Sequence, residues 1–175
     1  MPDHSQFNID RTYPGRWTIT FNNPPINMFV PSTIVELGAL MTDLEADPSV
    51  KVVLFQSANP DFFVAHLDVA KAAERPEVLG LWREFVLRLT STPVVSIAKI
   101  RGRTRGIGNE FVLACDMRFA SRQSALFGNP RSASGWSRAA ERWNGACVWS
   151  AARARSRSCL AATISMLISP SAMAG

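Results

Sequence analysis

The residues best suited to chemistry lie where short polar stretches interrupt apolar sequence. Glu110 follows the glycines at 106 and 108 and precedes an apolar run, so its carboxyl group belongs to the first turn of a predicted helix. A carboxyl group at a site can act as a general acid or base. The same position also suits a solvated acid that stabilises a helix N-terminus. Residue type and position alone leave both interpretations of Glu110 open.

The other candidates also have structural alternatives. A histidine can act as an acid or base at a site, but His66 has the setting of an ordinary loop histidine. Asp68 suits an anchor for the local backbone. Cys115 and Asp116 are expected to close the helix by packing and capping.

A series of alternating arginines could bind the phosphate groups of a ligand. Its alternation with Gly102 and Thr104 is more typical of a solvated turn. The series comprises Arg101, Arg103 and Arg105.

The spacing of apolar residues predicts the elements that hold these candidates. Strands are predicted over 17–21, 50–56, 93–100, 117–120 and 124–127, and helices over 31–47, 76–89 and 108–114. The Val-rich run at 50–56 suits a strand covered on both faces. Residues 57–63 are predicted to form a loop, and 102–108 a turn. Thr33 and Glu36 have the spacing of a capping box for the first helix. Strands that alternate with helices predict an α/β fold.

Three segments carry a pattern shared with a known family. They read NPDFFVAHLD at 59–68, PVVSIAKIRG at 93–102 continued by GIGNEFVLACDMRFAS at 106–121, and ALFGNP at 125–130. In this order and spacing they resemble the enoyl-CoA hydratase/isomerase (crotonase) superfamily over roughly residues 15–130. The resemblance implies a crotonase-like (ClpP/crotonase) α/β fold of repeated ββα units.

The resemblance also implies a chemistry and the residues that perform it. The superfamily holds the carbonyl oxygen of a CoA thioester between two backbone N–H groups, which stabilises an enolate. By position, the implied donors are Ala65 and Ile107, and Glu110 matches the first of two catalytic glutamates. The implied substrate-binding residues are Ala65, His66, Leu67, Asp68, Gly106 and Gly108. The resemblance implies no cofactor or metal other than the coenzyme A of the acyl-CoA substrate.

The implied reaction is hydration or isomerisation of an acyl-CoA double bond, as in fatty acid metabolism. Such an enzyme is a lyase or an isomerase. Another reaction of the superfamily, thioester hydrolysis or decarboxylation, would use the same N–H groups with different acids. A non-catalytic fragment or pseudoenzyme is the alternative from another class. Family members form homotrimers or hexamers through a region that this sequence lacks.

The resemblance stops at residue 130. Arg131 stands where the family has its second glutamate, and the later family features are missing from 131–175. Codons that could encode residues 131–175 could also encode a different sequence when the reading frame is shifted back by one base. That second sequence resembles the family's continuation after residue 130. We interpret the chain as a crotonase-like core at 1–130, truncated by a frameshift and followed by a poorly ordered basic tail at 131–175. Loss of the second acid predicts impaired hydration.

Charge and composition restrict the partners. Residues 1–130 contain 13 basic and 13 acidic side chains, whereas 131–175 contain six arginines and one glutamate, which accounts for the whole net charge of +5. The charge therefore does not indicate a nucleic-acid-binding domain. No apolar run reaches the roughly 18 residues that span a bilayer, and residues 1–10 do not have the pattern of a secretory signal. Three cysteines without CxxC spacing indicate neither a disulfide framework nor a zinc site, so a cytoplasmic protein without a membrane partner is expected.

Overall fold

The computed structural model describes residues 6–128, in which eight strands and four helices are found. The strands are β1 (Phe7–Tyr13), β2 (Arg16–Phe21), β3 (Val52–Ser57), β4 (Phe62–Val64), β5 (Val95–Ile100), β6 (Arg103–Arg105), β7 (Met117–Ala120) and β8 (Leu126–Gly128). The helices are α1 (Pro31–Ala46), α2 (Val69–Ala73), α3 (Val78–Ser91) and α4 (Ile107–Ala114).

The strands form two sheets that the chain visits in turn. The larger sheet has the order β1-β2-β3-β5-β7, and the smaller has the order β4-β6-β8. Only β1 and β2 are antiparallel among the paired strands of residues 6–128. Each of the pairs β3–β4, β5–β6 and β7–β8 places its first strand in the larger sheet and its second in the smaller one. Helices follow the first two pairs, so the predicted α/β fold of repeated ββα units is confirmed.

An aromatic cluster in the core fixes the helix that carries Glu110. Phe111, the next residue, is fully buried. Its ring packs edge-on against Phe55 of β3, with 4.8 Å between centroids, and stacks with Phe85 of α3 at 5.9 Å. Large aromatic side chains bury much apolar area, so the contacts of Phe111 with β3 and α3 hold α4 in place next to Glu110.

Most predicted elements are found, with shifted ends. The predicted helix over 76–89 begins at Val78 and ends at Ser91. The predicted loop at 57–63 runs into β4, and the predicted turn at 102–108 contains β6. β1 and α2 were not predicted from the sequence. In β3, Val53 and Phe55 are buried while their neighbours are half-buried, so the strand is covered less evenly than expected.

The capping box predicted at Thr33 and Glu36 is wrong. α1 has Val30 at its N-cap, and the Thr33 hydroxyl accepts the Val30 N–H at 3.2 Å. The Glu36 carboxylate instead accepts the N–H of Gln6 at 3.1 Å. Thr33 therefore caps the helix from its third position, while Glu36 contacts the residue before β1, and no pattern within the helix indicates that contact.

Candidate active site

The N-terminus of α4 presents backbone N–H groups that its own helix does not use. Gly106 is the N-cap, with φ of 51° and ψ of −119°, a conformation that favours glycine. Its carbonyl accepts the N–H groups of Asn109 and Glu110 at 2.9 and 3.1 Å. The N–H groups of Ile107 and Gly108 have no hydrogen-bond partner within residues 6–128, as expected for the first turn of a helix.

Close packing brings this helix end against β4. A Cβ atom added to Gly108 would lie 2.7 Å from Val64 Cβ and 2.8 Å from the Val64 carbonyl oxygen. Glycine is therefore required at 108 by contact rather than by its backbone angles. The contact places the start of α4 beside the segment that follows Val64, which contains the other predicted site residues.

The segment after Val64 is extended and pairs with residues 27–29. Phe29 forms a parallel bridge with Leu67. The Phe29 N–H donates to the His66 carbonyl at 2.9 Å, and the Phe29 carbonyl accepts the Asp68 N–H at 2.8 Å. A parallel bridge of this kind uses the carbonyl group of His66 and the N–H of Asp68, which lie on either side of Leu67. The Leu67 N–H is therefore directed away from Phe29. It has no hydrogen-bond partner within the described part of the chain.

The expected role of Ala65 is corrected by this pairing. Its N–H donates to the Asn27 carbonyl at 3.2 Å and so is already used by the fold. The N–H groups of His66 and Leu67 have no hydrogen-bond partner within residues 6–128, and that of Leu67 is the one directed away from Phe29. Leu67 was predicted to bind substrate but not to be a donor, because the direction of its N–H depends on a residue 38 positions earlier, Phe29.

Two other predicted site residues have local structural roles. The imidazole Nδ1 of His66 lies 2.9 Å from the Leu67 carbonyl oxygen, and the side chain is exposed. Asp68 is the N-cap of α2, and its carboxylate accepts the Lys71 N–H at 3.1 Å. The interpretation of Asp68 as a backbone anchor is therefore confirmed, whereas contact of either side chain with substrate stays a prediction.

Glu110 is half-buried, and an indole group contacts its carboxylate. Trp82 Nε1 of α3 donates to Glu110 Oε2 at 3.0 Å. Trp82 is 4% exposed. Trp82 was not predicted as a site residue, although a buried indole N–H in the middle of an apolar helix face generally requires an acceptor.

Cys115 and Asp116 follow α4 and have structural contacts. Burial raises the pKa of the Cys115 thiol far above its usual range, so this cysteine is not an activated nucleophile. Cys115 is the C-cap residue of α4, and its Sγ lies 3.5 Å from the Phe111 carbonyl oxygen. The Asp116 carboxylate accepts the N–H and hydroxyl of Ser96 at 2.9 and 2.8 Å, which ties the end of α4 to β5 rather than capping the helix.

The alternating arginines lie on and beside β6. Arg101 and Arg105 are exposed, and the Arg103 guanidinium lies 5.3 Å from the centre of the Phe62 ring. Binding of CoA phosphates by these residues stays a prediction.

Residues 6–128 contain no group of three or more potential metal ligands. Within the same range, no helix combines the length and apolar character needed to cross a membrane. Arg131 and the predicted tail at 131–175 lie outside the described residues.

The chain is similar in sequence and structure to known enoyl-CoA hydratases, isomerases and related enzymes. A family profile described as enoyl-CoA hydratase/isomerase matches residues 12–143, and so extends past residue 130. The human mitochondrial enoyl-CoA delta isomerase 1 is 32% identical over 122 residues, which cover 67% of this chain and 38% of the relative. The ethylmalonyl-CoA decarboxylase of Xenopus laevis is 29% identical over 124 residues, covering 67% of this chain and 42% of the relative.

A solved structure from Streptomyces avermitilis, assigned as an enoyl-CoA hydratase, is 38% identical with a TM-score of 0.68. The match covers 74% of this chain and 49% of that one. The chain thus spans less than half the length of the three proteins compared with it.

Proposed function

The chain belongs to the enoyl-CoA hydratase/isomerase family, and on that premise we propose that it binds an acyl-CoA thioester and stabilises its enolate. The proposed donors to the thioester oxygen are the backbone N–H groups of Leu67 and Ile107. Glu110 is the proposed acid/base. The observation that carries the proposal is the pair of unpartnered N–H groups on two segments joined by the contact of Gly108 with Val64.

Each donor has a physical reason to favour negative charge. The Ile107 N–H lies at the positive end of the α4 dipole, and a helix N-terminus stabilises an anion that contacts it. The Leu67 N–H belongs to a segment fixed by hydrogen bonds on both sides. Fixed donors stabilise an oxyanion well because they need no reorganisation when charge develops.

The proposed step is removal of the proton next to the thioester carbonyl. The α-carbon–hydrogen bond breaks, the Glu110 carboxylate takes the proton, and the electron pair moves towards the thioester oxygen. The protonated Glu110 then exchanges its proton with solvent, and delivery of a solvent proton to the same carbon completes the exchange. In an unsaturated substrate, return to a different carbon moves the double bond, which is isomerisation.

Hydration needs a second group that positions water. Where the family resemblance places that group, this chain has Arg131, which is permanently protonated and cannot serve as base or carboxylic acid. We therefore propose that enolate formation persists while hydration is slow. A cytoplasmic location remains an expectation from the sequence.

Decarboxylation is the second candidate reaction. The Xenopus laevis relative is named for it, and loss of CO₂ from a malonyl-type thioester leaves the same enolate in the same donors. This reaction needs an acid to protonate the α-carbon but no base to remove a proton. Release of CO₂ from ethylmalonyl-CoA, without exchange of the α-protons of butyryl-CoA, would favour it.

The proposal is tested by exchange of the α-protons of butyryl-CoA in deuterated water, followed by mass spectrometry. Glu110→Gln should lower the rate by about 10²–10⁴-fold, the usual cost of losing a positioned acid or base. Glu84→Gln is the matched control, because Glu84 is an exposed carboxylate on α3 whose ion pair with Arg88 spans 3.9 Å. Absence of exchange in the unmodified chain would contradict proton removal by Glu110, and absence of CO₂ release from ethylmalonyl-CoA as well would favour a non-catalytic protein.

A further inference from the structure

We propose that Trp82 is a positioning residue for Glu110, and this inference rests on the function proposed above. The indole of Trp82 would hold the carboxylate in one orientation and determine which of its oxygens exchanges the proton. Trp82 would act only through Glu110, without touching the substrate.

The hydrogen bond itself is the first observation. Trp82 Nε1 lies 3.0 Å from Glu110 Oε2, and the two residues are 28 positions apart in the sequence. An indole N–H can donate but cannot accept. Because an indole N–H bonds best to the unprotonated oxygen of a carboxyl group, the bond to Oε2 favours Oε1 as the oxygen that carries a proton taken from substrate.

The indole ring is held firmly enough to act as a support. It stacks with Phe85, with 5.4 Å between centroids and 28° between planes. The Phe29 ring packs edge-on against it at 6.1 Å and 73°. Trp82 itself is 4% exposed. A buried aromatic side chain packed on two sides has little rotational freedom, so its N–H has a fixed direction.

Phe29 links this support to the other half of the site. Its backbone hydrogen bonds lie on both sides of Leu67, and its side chain packs against Trp82. The same residue therefore fixes a proposed oxyanion donor and the side chain that orients the acid/base.

The test is the Trp82→Phe variant in the butyryl-CoA exchange assay, since phenylalanine keeps an aromatic ring but removes the N–H. The maximal exchange rate should fall by about tenfold, the lower end of what a hydrogen bond to a charged group contributes. The substrate concentration at half-maximal rate should change by less than about twofold, because the bond does not contact substrate. Trp17→Phe is the control, since Trp17 of β2 is buried to a similar extent, 6% exposed.

A second background separates positioning from simple packing. In Glu110→Gln, adding Trp82→Phe should cause no further loss, because the group that Trp82 positions is already missing. The indole ¹H–¹⁵N signal of Trp82 should move in Glu110→Gln while that of Trp17 does not.

Three outcomes would overturn the inference. A Trp82→Phe protein with unchanged exchange, while Glu110→Gln is inactive, would remove the role of Trp82 and leave the proposed function standing. Equal losses in both backgrounds would show that Trp82 only packs. No exchange in the unmodified chain would remove both proposals.

Discussion

Two segments present unpartnered N–H groups at the candidate site, and they are held by different kinds of structure. Residues 106–110 start α4, where helix geometry itself leaves the N–H groups of Ile107 and Gly108 without carbonyl partners. Residues 64–68 are extended and paired with 27–29, which accept the N–H groups of Ala65 and Asp68 and leave those of His66 and Leu67 without a partner among the described residues. One donor is therefore fixed by local geometry and the other by a contact between distant parts of the sequence.

This difference predicts which substitutions each of the two segments should tolerate. The helical segment depends on main-chain geometry and on one close contact, so it accepts the isoleucine at 107 but not a larger residue at 108. The extended segment depends on the loop that contains Asn27 and Phe29. Disturbing that loop should affect the Leu67 donor without moving α4.

The largest effect is expected from Gly108→Ala. The added Cβ meets Val64 at 2.7 Å, so α4 must move away from β4. We expect about 10²-fold slower butyryl-CoA exchange, since a shift of about 1 Å has that cost, and a loss of about 1–3 kcal/mol from overpacking. Exchange assays and urea unfolding measure the two effects.

Gly80→Ala is the control for this variant. Gly80 is an exposed glycine of α3 with no atom within 4 Å of an added Cβ. Alanine should raise stability there by about 0.5–1 kcal/mol, because glycine is disfavoured inside helices. Similar behaviour of the two variants would show that the contact between α4 and β4 is not required.

A smaller effect is expected from Ser57→Ala on the extended side. The Asn27 side-chain amide donates to Ser57 Oγ at 2.7 Å, and Ser57 Oγ lies 2.6 Å from the Phe62 carbonyl oxygen, which accepts its hydroxyl proton. Removing the hydroxyl should cost about 1–3 kcal/mol, because partly buried donors lose their acceptor. Exchange should slow by less than in Gly108→Ala.

Ser49→Ala serves as the comparison for Ser57, because Ser49 is exposed and bonds only to Asp47 within the described residues. Its stability should change by less than about 0.5 kcal/mol. If Ser57→Ala is equally mild, the loop at 27–29 is held by other contacts and the extended segment is less dependent on it than proposed.

The smallest effect is expected at Asp68. Asparagine caps helices about as well as aspartate, so Asp68→Asn should keep exchange within about twofold. Asp68→Ala should lose about 0.5–2 kcal/mol because the Lys71 N–H loses its acceptor. A large loss of exchange in Asp68→Asn would instead assign the charge of Asp68 a role towards substrate.

The sequence predicted the helical half of the site better than the extended half. The glycines at 106 and 108 and the apolar run after Glu110 are local signals, so the start of α4 was predicted within one residue. The donor in the extended half was assigned to Ala65, whose N–H is bonded to Asn27, whereas the proposed donor, Leu67, lies two residues later. Pairing with Phe29 decides this, and no local pattern contains it.

Contacts between distant parts of the sequence also explain the other features that were not predicted. Trp82 was predicted to be helical, but its partner Glu110 lies on another element. The Thr33 and Glu36 spacing was interpreted as a local cap, whereas Glu36 contacts Gln6. The positions of the buried strands along the chain were better predicted, because short runs rich in β-branched residues, such as 50–56, are a local signal.

The most direct test of the central claim is a titration of the ¹⁵N-labelled full chain with acetoacetyl-CoA, whose enolate forms readily, followed by backbone amide NMR. The account predicts large downfield amide-proton shifts for Leu67 and Ile107, because both N–H groups gain a charged acceptor, while Ala65 stays bonded to Asn27 and shifts little. A shift at Ala65 with none at Leu67, or no shift at either Leu67 or Ile107, would contradict the proposed oxyanion hole.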